Sequence, residues 1–170
     1  PLGLTRKKII WPLKRLWNIN HKMKILYQGL PGAYSHLAAL EVYPDAEIIP
    51  CKTFDECFIK AEEDDQVNII IPESNRITGN IGIEYLIFKH RLNIYAEHFH
   101  KIEHNLLSVP GSKLIDIKNI FSHQQALSQC SLFIKKNKIT ENVRADTAGS
   151  AQLISKSKDK TEAAIAPKLS

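Results

Sequence analysis

The run Val67-Asn68-Ile69-Ile70-Ile71 constrains the fold of this chain more than any other five residues. β-Branched side chains are stiff at χ1 and sit well on a pleated surface, and a run with so little polar alternation is buried on both faces of a parallel sheet. Such a strand needs cover on each side, and the residues ahead of it supply it. Ile25-Leu26-Tyr27 and Ile48-Ile49 predict two further strands. Ser35 to Tyr43 has helical spacing, with Leu37, Leu40 and Val42 as its apolar positions and no breaker before Pro44. Thr53 can cap a second helix, whose Phe54, Cys57, Phe58 and Ala61 fall at i, i+3, i+4 and i+7. The order β-α-β-α-β predicts a doubly wound α/β beginning.

A second set of the same kind follows. Leu92 to Leu107 is strand-like and runs to a turn at Pro110-Gly111. Ile120-Phe121 is a short strand, after which Ser122 caps a helix through about Lys136. Val143-Arg144-Ala145 is a strand, Asp146 or Thr147 caps another helix, and Ala163-Ala164-Ile165-Ala166 closes as a strand. Two small α/β lobes are expected, the first over about 24–90 and the second over about 91–165.

The 170 residues and 19.3 kDa leave room for such a pair. The formal net charge of +5 would suggest nucleic acid, but it is local. Arg6, Lys7, Lys8, Lys14, Arg15, Lys22 and Lys24 face no acid within the first 24 residues, and the remainder is slightly acidic. Nucleic-acid binding by the body of the protein is therefore not expected. Residues 1–23 form a basic arm expected to stand outside the fold. Met23, the only methionine, precedes the first strand and reads as a natural start. Ile9, Ile10, Leu13, Leu16 and Trp17 could form an amphipathic stripe, but Pro12 interrupts it. No apolar run is long enough to span a membrane. Cys51, Cys57 and Cys130 make no C-x-x-C pair, so a disulfide framework is not expected and a reducing cytoplasm is the expected home.

In open α/β lobes ligands bind beyond the carboxyl ends of strands, where helix N-termini present free N–H groups. Three corners here are made of small polar residues: Gly32-Ala33-Tyr34-Ser35, Ser122-His123-Gln124-Gln125 and Thr147-Ala148-Gly149-Ser150. They suit a small anion with more than one carboxylate, although Ser122 and Thr147 also fit as plain N-caps. A fourth candidate is the loop from Pro72 to Asn80, where Arg76 could pair a carboxylate bidentately. Asn and Gly in such a loop are equally the residues of ordinary turns. His98, His100 and His104 lie at even spacing, on one face of a straight strand, with Glu97 and Glu103 nearby. No second cluster completes a ligand set, so no metal is expected. There is also no phosphate-binding glycine loop, and no cofactor is expected. Cys57 reads as core.

Taken in order, these segments resemble the prephenate dehydratase family, over the stretch from about Lys24 to the end of the chain. Tyr27-Gln28-Gly29-x-x-Gly32-Ala33-Tyr34-Ser35 is similar to the family's opening loop. Pro72-x-x-Asn75-x-Ile77-x-Gly79 is similar to its Pro-Ile-Glu-Asn-Ser-x-x-Gly loop. Glu97 and Ile102-x-His104-Asn105-Leu106-Leu107 follow. Ser122-His123-Gln124-Gln125-Ala126-Leu127-x-Gln129-Cys130 is the most specific, close to Ser-His-Pro-Gln-Ala-Leu-x-Gln-Cys. Thr147-Ala148-Gly149-Ser150-Ala151 and Ala163-Ala164-Ile165-Ala166 complete the series.

The resemblance implies a two-lobed α/β fold of the periplasmic-binding-protein type II kind, incomplete at the C-terminus. It implies the decarboxylating dehydration of prephenate to phenylpyruvate on the route to phenylalanine. Substrate contacts would fall to Ser35, Asn75, Thr78, Gly79, Ser122, Gln125, Gln129, Thr147, Ala148, Gly149 and Ser150, with His123 as a candidate proton donor. It also implies a homodimer. The family continues to a Thr-Arg-Phe motif, whose threonine is the residue usually held essential, and to an ACT regulatory domain. Both lie past Ser170, which would leave lobe one without its returning strand and with open sheet edges. Ser74 stands where the family has Glu, Arg76 where it has Ser, and Gln124 where it has Pro. Two other outcomes are therefore kept: a non-catalytic binder of a small aromatic acid, and a decayed remnant without function.

Overall fold

The computed structural model describes residues 4–11, 23–75 and 79–170. They divide into two compact units, one of Pro1–Leu30 with Tyr34–Ile102 and one of Pro31–Ala33 with Glu103–Ser170. The expected division near residue 90 moves to 102–103, because the strand Asn93–Lys101 pairs into the first sheet.

In the first unit the elements are β1 (Leu4–Trp11), β2 (Lys24–Gln28), α1 (Tyr34–Val42), β3 (Glu47–Cys51), α2 (Phe54–Glu63), β4 (Val67–Asn75), β5 (Gly79–Asn80), α3 (Glu84–Lys89) and β6 (Asn93–Lys101). The sheet runs β3-β2-β4-β1-β6, with β5 folded back on β4. β2 pairs in parallel with β3 and β4, as a doubly wound beginning requires. Pro50 lies in β3, the outer strand, where a missing N–H is tolerated.

The central run is buried on both faces. Val67, Ile69 and Ile71 pack with Leu26, Cys57, Phe58 and Ala61 toward α2. Ile70 packs with Ile25, Tyr27, Ala38 and Ala39 toward α1. Thr53 caps α2, its Oγ1 accepting from Glu56 N–H at 3.1 Å.

α1 differs from expectation in its buried face. Ser35, Ala38 and Ala39 are buried, while Leu40 is exposed. The small residues let the helix backbone lie close to the strands, which the larger leucine would prevent. α3 was not expected; it is only six residues long and has no side-chain cap. The polar loop after the buried run begins as strand, β4 continuing through Pro72 to Asn75.

The arm requires the largest correction. Leu4–Trp11 is not outside the fold but a sheet strand, antiparallel to β4 over Thr5–Ile10 and to β6 over its whole length. The edge expected to be open beside β4 is thus occupied by this chain's own N-terminal residues. The expected stripe also included Leu13, Leu16 and Trp17, which lie outside the described residues.

Asn68 is 2% exposed, and neither its amide nitrogen nor its carbonyl oxygen has a hydrogen-bond partner. A buried amide without partners costs about 1–3 kcal/mol. Asn68→Leu, which keeps the shape and removes the polar atoms, is expected to raise the stability of the first unit by about 1 kcal/mol. A urea titration that finds the variant less stable than the parent would contradict this.

The second unit contains β7 (Asn105–Ser108), a 3-10 turn (Leu114–Asp116), β8 (Asn119–His123), α4 (Gln124–Gln129), α5 (Ser131–Lys136), β9 (Thr140–Arg144), α6 (Thr147–Lys156) and β10 (Glu162–Ala166). Its sheet runs β7-β10-β8-β9. β10 is interior, parallel to β8 and antiparallel to β7. Its alternation sorts the helices: Ala163 and Ile165 pack with Ile120, Leu127 and Ile134, and Ala164 and Ala166 pack with Phe121, Ala151 and Ile154 of the α6 side. The single strand expected over 92–107 is two, interrupted at 102–104, and the single helix expected to Lys136 is two, divided at Cys130.

Candidate functional site

The corner after β8 differs from its sequence reading in one residue. Ser122 does not cap α4. It is still within the strand, fully buried, and its Oγ donates to the Ile165 carbonyl at 2.5 Å. This bond ties β8 to the interior strand β10, and the hydroxyl is committed to it. The cap is His123, whose Nδ1 accepts from Gln125 N–H at 3.3 Å. An accepting Nδ1 leaves the proton of the neutral ring on Nε2, so His123 holds a donor at the far side of its ring. Gln129 is engaged by His104, whose Nε2 donates to Gln129 Oε1 at 2.8 Å. Burial holds the His104 imidazole below its ordinary pKa, which keeps this pair neutral near pH 7.

At the start of α6 the two candidate caps separate. Asp146 is the cap, in extended backbone, with Oδ1 accepting from Gly149 N–H. Ser150 Oγ turns back to the Asp146 carbonyl at 2.7 Å and is buried. A Cβ at Gly149 would lie 2.9 Å from Asp146 Oδ2 and 3.0 Å from Oδ1, so a larger residue there would have to displace the capping carboxylate. Of the first-turn N–H groups, the cap takes that of Gly149, and helix geometry leaves those of Thr147 and Ala148 without intrahelical partners. The hydroxyls of Ser122 and Ser150, both expected to touch ligand, thus each donate to a backbone carbonyl.

Arg144 was not singled out from the sequence. It ends β9, lies in register beside His123, and its guanidinium stacks 5.2 Å above the Phe121 ring. Stacking restrains a planar cation at the carboxyl end of the sheet, two residues before the Asp146 cap. The available signal was a basic residue placed between a β-run and a cap residue.

Gly32 belongs to the second unit. Its φ of +90° suits glycine, and a Cβ would come within 2.7 Å of Ser170 Cα. Its carbonyl accepts from Ser170 Oγ at 3.1 Å.

In the first unit Ser35 is buried in the first turn of α1. Asn75 ends β4, and Gly79, with φ of +76°, opens β5 opposite it. Thr78, with Arg76 and Ile77, lies outside the described residues, as does the Asn75 side chain. Tyr27 is buried, and its hydroxyl is pushed up to about 12 by that burial and by Cys51. Burial also raises the thiols of Cys51, Cys57 and Cys130, which identifies none of them as an activated nucleophile. A cavity of about 260 Å³ lined by Leu26, Ile49 and Val67, with Lys24 and Asp64 at its rim, contains none of the predicted residues.

The even-spaced histidines divide. His98 and His100 share a face of β6, and Glu41 of α1 meets both, whereas His104 belongs to the second unit. Neither Glu97 nor Glu103 is the carboxylate that joins them.

Comparison with known proteins gives a consistent result. The family model described as prephenate dehydratase matches residues 25–170. Arogenate dehydratase/prephenate dehydratase 1, chloroplastic, of Arabidopsis thaliana is 40% identical over 137 residues, 80% of this chain and 35% of that protein. Arogenate dehydratase 2 of Petunia hybrida is 37% identical over 167 residues, 98% of this chain and 42% of its own length. The chain thus spans less than half of these curated relatives. Among solved structures, the prephenate dehydratase of Staphylococcus aureus superposes with a TM-score of 0.72 at 25% identity, covering 85% of this chain and 55% of that one. A protein described as GqqA, a novel type of quorum quenching acylase, gives 0.74 at 32% identity, covering 86% and 54%. The α/β fold of this chain is the periplasmic-binding-protein-like one that these structures share.

Proposed function

The chain belongs to the prephenate dehydratase family, and from that premise we propose that it binds prephenate, or the arogenate named for its plant relatives, and serves the decarboxylating dehydration of that substrate in phenylalanine biosynthesis. The observation that carries the reading is the match over 25–170, within which the motifs stand in family order. The local geometry supports it. The N–H groups of Thr147 and Ala148 with Arg144 suit a carboxylate, and Gln125 adds an amide. The family resemblance also assigns substrate contacts to Ser35, Asn75, Thr78 and Gly79. His123 is the proton donor that lets the ring hydroxyl leave as water; it acts from the imidazolium, in which Nδ1 also carries a proton and gives up its bond from Gln125 N–H, and it returns to the neutral ring when Nε2 has delivered its proton. Aromatisation supplies the driving force, so the protein's task is to hold the dianion in one pose. A homodimer working in the cytoplasm is part of the same proposal. Among the described residues no helix is long and apolar enough to cross a membrane.

The test is a thermal melt of the 170-residue chain with prephenate or arogenate in excess, followed by an assay for phenylpyruvate or phenylalanine. A ligand bound only by the native state at 100 times its Kd adds about 2.7 kcal/mol, an easily read rise in Tm. His123→Asn, which retains a capping oxygen, should keep this rise and lower turnover by about 100-fold or more. A rise without product would leave a binder and remove the catalytic half of the proposal. No rise with either compound would overturn it.

A further inference from the structure

We infer that Glu41, His98 and His100 form a binding site for a borderline transition-metal ion such as Zn²⁺, which joins the last turn of α1 to β6. Positions 98 and 100 share a face of the strand with Ala96, which packs into the core beneath α1. Glu41 stands three residues after the buried Ala38, on the same side of its helix. These two periodicities bring three donor atoms together. Glu41 Oε2 lies 2.8 Å from His100 Nδ1 and 3.2 Å from His98 Nε2, and all three atoms fall within 4.8 Å of one another.

The distances suit an ion. With metal–ligand bonds of about 2.0–2.1 Å, a tetrahedral centre sets its donors about 3.3 Å apart, close to the 3.2 Å between Glu41 and His98, while the 2.8 Å between Glu41 and His100 is a hydrogen bond that has to open by about 0.5 Å. Hydrogen bonding accounts for the His100–Glu41 contact but not for His98. His98 Nε2 is buried and, although near the carboxylate, is not aligned to make a hydrogen bond with it. An ion between the three atoms would satisfy that nitrogen, the other imidazole and the carboxylate at once. Two imidazoles and one carboxylate select zinc-like ions over magnesium or calcium, which prefer oxygen ligands. Glu41 is half exposed, so the fourth position opens to water. The site uses none of the residues assigned to prephenate and stands or falls independently of that reading.

Zinc titrated into the full 170-residue chain, against a chromophoric chelator, should bind one equivalent and raise Tm, and magnesium should do neither. Glu41→Gln, His98→Ala and His100→Ala should each weaken binding by ~100-fold or more. His104→Ala and Cys130→Ser should leave it unchanged. Because Glu41 is at the surface, Glu41→Gln is the variant that preserves the fold, and a melt of each metal-free variant checks this. Cobalt substitution should give the visible bands of a four-coordinate nitrogen–oxygen site without thiolate charge transfer. Absence of stoichiometric binding, binding that survives Glu41→Gln and both histidine variants, or a thiolate band would overturn the inference.

Discussion

Removal of residues 1–22 is expected to unfold the first unit while the second remains folded. β1 lies between β4 and β6, and among the described strands β6 has no other ladder partner. Without β1 the sheet loses β6 altogether, and the Ile69-Ile70-Ile71 segment of β4 becomes an open edge. An eight-residue strand paired on both sides carries ladder bonds worth about 1 kcal/mol each. Their loss is comparable with the ~5–15 kcal/mol that holds a whole domain together. The exposed apolar edge also favours aggregation. Hydrogen exchange should show protection lost in β4 and β6 of the shortened chain and retained in β8, β9 and β10, since the second unit contains no residue before Pro31. Equal protection of β6 with and without residues 1–22 would refute the pairing.

Phe58→Ala should cost the first unit about 3–5 kcal/mol. Phe58 is fully buried among Leu26, Cys57, Ile69, Ile83 and Leu92, on the face of the sheet covered by α2. Its ring also lies 5.7 Å from that of His90, which is buried and bonded through Nδ1 to Glu62 Oε2 at 2.6 Å. Truncation therefore leaves a cavity beside a buried polar group, and the surroundings cannot collapse without disturbing the His90–Glu62 pair. Phe58→Leu keeps most of the volume and should cost under about 1.5 kcal/mol. Urea titrations of both variants, followed by a probe of the first unit, provide the comparison, and similar midpoints would contradict the placement of Phe58.

Much of this arrangement is legible from residue order because it rests on local periodicity. The two-faced burial of Ile69, Ile70 and Ile71, the Thr53 cap, and the alternation within Ala163–Ala166 follow from spacing and side-chain shape. Where local signals compete, proximity decides. Ser122 and His123 are both able to cap, and the outcome depends on the Ile165 carbonyl, 43 positions away, which claims the serine. Leu40 reads as more apolar than Ala38 and Ala39, yet the tight approach of α1 to its strands buries the alanines.

The motifs that place the chain in its family were determined by sequence alone. They are short segments whose chemistry is complete within a few residues. The role of β1 and the meeting of Glu41 with His98 and His100 were decided only by tertiary structure. A basic arm has no periodicity that names its ladder partners, and a glutamate 57 and 59 positions from two histidines carries no mark of them. Sheet pairing and helix packing are non-local, and they bring these groups together.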